Sequence, residues 1–148
     1  MPKKCVVQRS TIPNAGDGLF LCESAKEGER VARYSGVVLN REEIEYSKSK
    51  YILMISKDVF LDAEHPSNWE GRSMNCGIGH RANVRFGASR IHNTCRGCKR
   101  AWISVFALRN IFADEDNPKE LLVDYGEKYL IGGRVVRRVP TSHLYCMT

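Results

Sequence analysis

The sequence predicts a mostly-β domain built from several small sheets. Short runs rich in Val, Ile, Leu, Tyr and Phe recur along the chain, punctuated by Gly, Asn and Pro. Only one segment carries clear helix signals. Strands and helices do not alternate, which disfavours a doubly wound nucleotide-binding fold. With 148 residues the chain fits one domain, 1–148, large enough to bury a core without metals or disulfides.

The expected strands follow in order. Val6–Arg9, Gly18–Cys22, Arg30–Leu39, Tyr51–Ile55 and Val59–Asp62 form the first group. Asn83–Phe86, Trp102–Leu108 and Leu121–Tyr125 form the second. The helix starts after Asn40, an N-cap residue with Glu42 and Glu43 in its first turn, and runs towards Lys50. There is no internal repeat and no low-complexity tract.

Composition narrows the class. Hydrophobic residues are 43% and charged residues 27%, which argues against wholesale disorder. No apolar run approaches the ~20 residues needed to cross a bilayer. The segment Met1-Pro2-Lys3-Lys4-Cys5 has no apolar stretch behind its charges, so no secretory signal is expected. Six irregularly spaced cysteines then read as reduced thiols, and the expectation is a soluble intracellular domain with no membrane partner.

The net charge of +6 is unevenly placed. Residues 71–113 hold eight Lys and Arg and no acid, and 131–148 add Arg134, Arg137 and Arg138. All 17 acids lie in 1–70 and 114–130. Such asymmetry points to a polyanion on one side and a cationic ligand on the other, or simply to a solvated basic face.

Each motif taken alone has a plain structural explanation. Asn14-Ala15-Gly16-Asp17-Gly18-Leu19 puts two glycines before a strand, as a β-turn would, and does not continue as a dinucleotide fingerprint. Cys95-Arg96-Gly97-Cys98 is a single Cys-x-x-Cys pair, half of what structural zinc needs, and reads first as a reduced hairpin tip. Glu120 to Gly126 is a strand ending in a Gly turn, and Tyr34-Ser35-Gly36 has the same bland reading.

Their order says more. Gly16-Asp17-Gly18, then Tyr34-Ser35-Gly36, then Asn68 to Asn75, then Glu120-Leu121-Leu122-Val123-Asp124-Tyr125-Gly126 resembles the SET-domain protein-lysine methyltransferases over about Val6–Leu130. The resemblance implies a β-clip (SET) fold, with small sheets around a knot-like arrangement in which the C-terminal motif passes beneath the Asn-containing loop. It implies S-adenosylmethionine as cofactor, with Gly16, Asp17, Gly18 and Leu19 covering it and Arg72, Asn75 and Cys76 holding its ends. Tyr125 and Tyr34 are the implied catalytic pair. Tyr34, Val123, Tyr125 and Tyr129 are the implied lysine channel, and the small Val123 implies room for more than one methyl. Metal is not required.

The chemistry is compatible with that set. A lysine's pKa of ~10.4 opposes deprotonation at neutral pH, and a desolvated aromatic channel disfavours the ammonium form. Carbonyl and tyrosine oxygens can steer a methyl group through weak C–H···O contacts.

Two departures stand out. Relatives commonly carry Asn-His-Ser-Cys closely followed by Pro-Asn. Here Cys76 replaces the His, and Asn83 falls two positions late, which is closer to the PR subgroup. After Tyr125 the chain offers only Cys146, so a post-SET zinc cluster cannot form within it. Residues 131–148 then act as a lid, a flexible tail or a packed strand. Tyr129, Leu130, Leu144 and Tyr145 are the candidates to provide an aromatic lid, and a homodimer is a further source of one.

The leading expectation is therefore a methyltransferase acting on a histone tail in the nucleus. Glu42, Glu43, Glu45, Asp114, Glu115 and Asp116 would attract a basic substrate, and stretch 71–113 would lean on nucleosomal DNA. The alternative is a catalytically weak SET- or PR-like module that binds chromatin or protein. A nucleic-acid-binding protein built on Cys95–Cys98 ranks third.

Overall fold

The computed structural model describes residues 3–87, 92–93, 100–126, 128–131 and 134–138. Strands β1 (Cys5–Arg9), β2 (Asp17–Leu21) and β3 (Arg30–Leu39) lead into helix α1 (Arg41–Tyr46). Strands β4 (Ile52–Ser56) and β5 (Val59–Asp62) follow, then a 3-10 turn at Pro66–Asn68 and helix α2 (Trp69–Ser73). Next come β6 (Asn75–Cys76), a 3-10 turn at Gly79–Arg81, β7 (Val84–Phe86), β8 (His92–Asn93) and β9 (Arg100–Ala107). The described chain closes with β10 (Lys119–Glu120), β11 (Leu122–Val123), β12 (Lys128–Ile131) and β13 (Arg134–Arg138).

The mostly-β expectation holds, and β3 and β5 coincide with the strands read from the sequence. Helix α1 is stopped four residues short of Lys50. Asn40 and Glu43 make a reciprocal capping box at its start, but Ser47 turns extended (ψ 144°) and its N–H bonds back to the Ile44 carbonyl. The expected strand Leu121–Tyr125 is divided. Glu120 pairs with Phe20, Leu121 N–H donates to the Leu19 carbonyl at 2.8 Å, and the chain then crosses to a different sheet. Helix α2 arises where the sequence reading saw only a motif.

Among the described residues the strands form a three-stranded sheet, β1-β2-β10, and a larger sheet ordered β12-β13-β4-β5-β3-β9-β7-β11-β6, with β8 also on β9. Strand β9 alternates buried and half-buried residues, and its inward Ala101, Ile103, Val105 and Ala107 face the core. They pack with Leu19, Leu21, Val31, Phe86 and Leu121 in the main cluster. Ile44, Ile52, Met54 and Phe60 form a smaller cluster under α1. Each fully buried Leu, Ile or Phe contributes about 1.5–3 kcal/mol by leaving water.

The feature that builds the site is the placement of β11. It runs parallel between β6 and β7, with Leu122 opposite Asn75 and Val123 opposite both Cys76 and Val84. Residues 77–83 connect β6 to β7 across it, which is the knot-like arrangement expected of the C-terminal motif. The beginning of the tail is a packed strand, since β13 pairs in parallel with β4 (Arg137 opposite Leu53). Residues 139–148, including Leu144, Tyr145 and Cys146, and the pair Cys95 and Cys98 lie outside the described residues.

Candidate active site

Glu120 anchors the C-terminal motif before it reaches the site. Its side chain is buried, and its carboxylate accepts from Ser10 Oγ (2.7 Å), Thr11 N (2.9 Å), Thr11 Oγ1 (2.5 Å) and Asn75 Nδ2 (3.2 Å). Burial acts to raise its pKa, but these hydrogen bonds favour the anion and the net shift is downward. Asn75 Nδ2 also donates to the Asp17 carbonyl at 2.9 Å, so one amide ties the Gly16–Gly18 turn to the motif. A Cβ on Gly18 would lie 2.3 Å from Glu120 Oε2, so a larger residue there would displace the hydrogen-bonded carboxylate.

Asn83 grips the next step of the backbone. Its Nδ2 donates to the Glu120 carbonyl and its Oδ1 accepts from Leu122 N–H, both at 2.8 Å. The second Asn of the motif thus bridges β10 and β11 despite its late position. Asp124 Oδ1 then accepts from Gly126 N–H at 2.8 Å, and Gly126 (φ 80°) completes the turn that leaves Tyr125 pointing back into the fold.

The Tyr125 hydroxyl donates to the Met74 carbonyl at 2.7 Å and lies 3.3 Å from the Gly71 carbonyl. Both acceptors come from α2 and the residue that ends it. Tyr34 is almost fully buried, and its hydroxyl donates to the Tyr51 carbonyl at 2.9 Å. Burial, and then the neighbouring Tyr125, hold the Tyr34 phenol well above its ordinary pKa, so it stays neutral. Phe86 lies between the two tyrosines, 6.0 Å from Tyr34 edge-on and 5.6 Å from Tyr125.

These groups wall a cavity of about 260 Å³ lined by Tyr34, Tyr51, Arg72, Met74, Cys76 and Tyr125, with Lys50, Ile52 and Asn75 at its margins. No carboxylate is among the described lining residues. Arg72 sits 4.1 Å over the Tyr51 ring and donates to the Glu64 carbonyl, with a longer contact to that of Ala63 at 3.5 Å. A cation placed in this cavity meets the positive charge of Arg72 and no carboxylate among the described lining residues, which favours a neutral amine over an ammonium.

Of the residues singled out from the sequence, Tyr34, Tyr125, Arg72, Asn75 and Cys76 share this one cavity. Gly16 and Asp17 are exposed on the adjoining turn, with Gly16 at φ 74° and open space where a Cβ would be. Leu19 and Val123 are fully buried, their side chains in the main core cluster. Tyr129 lies on β12 with its backbone opposite Val136.

Sequence reasoning missed Phe86, Tyr51, Met74, Lys50 and the Ser10–Thr11 pair. Phe86 and Tyr51 carried a visible signal as aromatics in β-prone runs. Met74 acts through its backbone carbonyl and left none.

A model of the SET domain matches residues 16–126. No curated protein is similar to the chain in sequence. Among solved structures, an active polycomb repressive complex 2 in the stimulated state superposes with a TM-score of 0.68 at 23% identity, over 95% of this chain and 18% of that one. ctPRC2 in complex with H3K27me3 and H3K27M gives 0.65 at 22%, over 94% and 16%. ctPRC2 in an autoinhibited conformation bound to S-adenosylmethionine gives 0.62 at 24%, over 85% and 15%. At these identities the likeness is one of fold, and this chain spans less than a fifth of each of those chains.

Proposed function

Because the chain belongs to the SET-domain family, one of protein-lysine methyltransferases, we propose that it transfers methyl groups from S-adenosylmethionine to a lysine of a histone tail. The observation that carries this reading is the Tyr125 hydroxyl, held by the Met74 and Gly71 carbonyls in a carboxylate-free aromatic cavity. At about 260 Å³ the cavity falls below the ~300–1,000 Å³ typical of sites that enclose a whole small-molecule ligand. It suits a lysine side chain and the reacting end of a cofactor.

The cofactor, when bound, supplies an electrophilic methyl group on a sulfonium. Gly16, Asp17 and Gly18 on the open turn, with Arg72, Asn75 and Cys76, are the residues that would hold it. The Asn75 bond to the Asp17 carbonyl brings these two segments together, which supports the fit. Leu19 contributes from beneath, as core under the turn.

The chain's own contribution is alignment and charge. Arg72 and Lys50 oppose a second cation, so the target lysine enters as the neutral amine. Tyr34 and Phe86 fix the ring of Tyr125. The Tyr125 hydroxyl and the carbonyls around it present oxygens to the transferring group.

Histones are the proposed substrate for two reasons. The exposed acids Glu42, Glu45, Asp114, Glu115 and Asp116 would attract a basic tail. One structural neighbour was solved with H3K27me3 and H3K27M. The nucleus is the corresponding location, and the basic stretch 71–113 is the proposed DNA-facing surface, through exposed Arg81 for example.

The test is transfer of radiolabelled methyl to core histones and nucleosomes beside Tyr125→Phe. Label is expected with the wild type, falling on the order of 100-fold in the variant as alignment is lost. Unchanged cofactor binding by calorimetry is expected in both. Absence of both transfer and cofactor binding would favour a chromatin- or protein-binding module instead.

A further inference from the structure

A second cavity, of about 320 Å³, lies between β1, the first half of β3 and α2. It is lined by Lys3, Lys4, Cys5, Arg30–Arg33, Trp69 and Glu70, and shares no lining residue with the candidate active site. Helix α2 walls both, giving Trp69 and Glu70 to one and Arg72 to the other.

Three features define what the cleft can take. The first is charge. Lys3 is paired with Glu29 at 3.0 Å and Lys4 with Glu115, but Arg33 meets Glu70 only at 3.9 Å, and Arg30 is exposed. Burial raises the pKa of Glu70, against the pull of Arg33 and Arg30 beside it. The second is apolar surface. Trp69 is 43% exposed over a floor formed by Val31 and Ala32. The third is unpaired backbone. Among the described strands, β1 pairs only with β2, and β3 meets β5 only from Val37 onward. Helix α2 packs against Tyr34 and the Asp62 carbonyl against Gly36, so the stretch of β3 that faces the cleft with one edge outside any strand pairing is 30–33. The Cys5 thiol reaches the Val31 carbonyl across the gap at 3.6 Å.

We propose that this cleft binds an acidic peptide segment of a partner protein, laid in extended form along β3, with carboxylates at Arg30 and Arg33 and an apolar side chain against Trp69. An extended peptide takes backbone hydrogen bonds from an open strand edge and alternates its side chains between faces. Arginine forks match carboxylates bidentately. The site is separate from the methyl-transfer reading and stands or falls without it.

The experiment is fluorescence anisotropy of a fluorescein-labelled peptide alternating Glu and Leu, with a Lys and Leu counterpart as control. The acidic peptide should bind saturably. Arg30→Glu and Arg33→Ala, each checked by thermal melting, should weaken it about tenfold or more, as loss of a charged hydrogen bond does. Trp69→Ala should weaken it without altering its salt dependence, and Lys57→Glu, on the distant β4–β5 turn, should leave it unchanged. Equal binding of the basic peptide, absence of saturable binding, or indifference to all three cleft variants would overturn the proposal. Displacement by inorganic phosphate alone, at concentrations matching the peptide, would reduce the cleft to a simple anion site and overturn it equally.

Discussion

Glu120 shows how one buried carboxylate organises a site it does not enter. Four hydrogen bonds from Ser10, Thr11 and Asn75 converge on it, linking residues 110 positions apart to the strand that delivers Tyr125. Its folded pKa lies below the ordinary 4.5. The stabilisation is therefore fully present above that value and is lost as pH falls through the folded pKa. Glu120→Gln removes the charge while keeping the shape, and it places amide hydrogens against donors. It is expected to cost about 1–3 kcal/mol in denaturant titrations at neutral pH. It should also flatten the acid limb of stability below pH 4.5, where the wild type keeps losing stability. An acid limb as steep in the variant as in the wild type would assign that loss to other carboxylates. Cys5 is shifted the other way. Burial pushes its thiol up to about 12, which makes it a structural rather than a reactive cysteine.

At the scale of elements, α2 decides the geometry of the cavity. A five-residue helix has little stability of its own, so packing must hold it. Gly71 is where it meets β3, and a Cβ there would lie 2.5 Å from the Tyr34 Cα. The neighbour is backbone and cannot swing aside. Gly71→Ala should therefore lift α2 from β3 at a cost of about 1–3 kcal/mol. The Gly71 and Met74 carbonyls would move with it, so methyl transfer should fall even at temperatures where the variant remains folded. Measuring transfer and melting temperature together separates the two effects. Helix α1 is the contrasting case. Its capping box is local, and its start was readable from Asn40 and the acids that follow.

At the scale of the whole molecule, the threading of β11 between β6 and β7 joins the N-terminal turn, α2 and the C-terminal motif into one unit. Asn83 is the latch, bonding the carbonyl of Glu120 and the N–H of Leu122. Asn83→Ala leaves both backbone groups without that partner and should cost about 1–3 kcal/mol for each one left unsatisfied. Hydrogen exchange should report the effect as lost protection in β6, β7 and β11 together, with β4 and β5 keeping theirs. Protection lost at Leu122 alone would mean that the strands hold together without the latch.

What the sequence determined by itself is what local chemistry encodes. Runs rich in Val, Ile, Leu, Tyr and Phe marked β3, β5 and most of β9, and an Asn followed by acids marked the start of α1. The order of short motifs along the chain pointed to the family before any contact was known. The tertiary structure alone decided which motifs meet. The parallel pairing of β11, the division of the Leu121–Tyr125 run, the carbonyls that hold Tyr125 and the cleft behind α2 all depend on partners tens of residues away. Backbone carbonyls leave no mark in the amino-acid string. A pairing across such distances is selected by the burial and hydrogen bonding of the whole fold, not by the preference of any one segment.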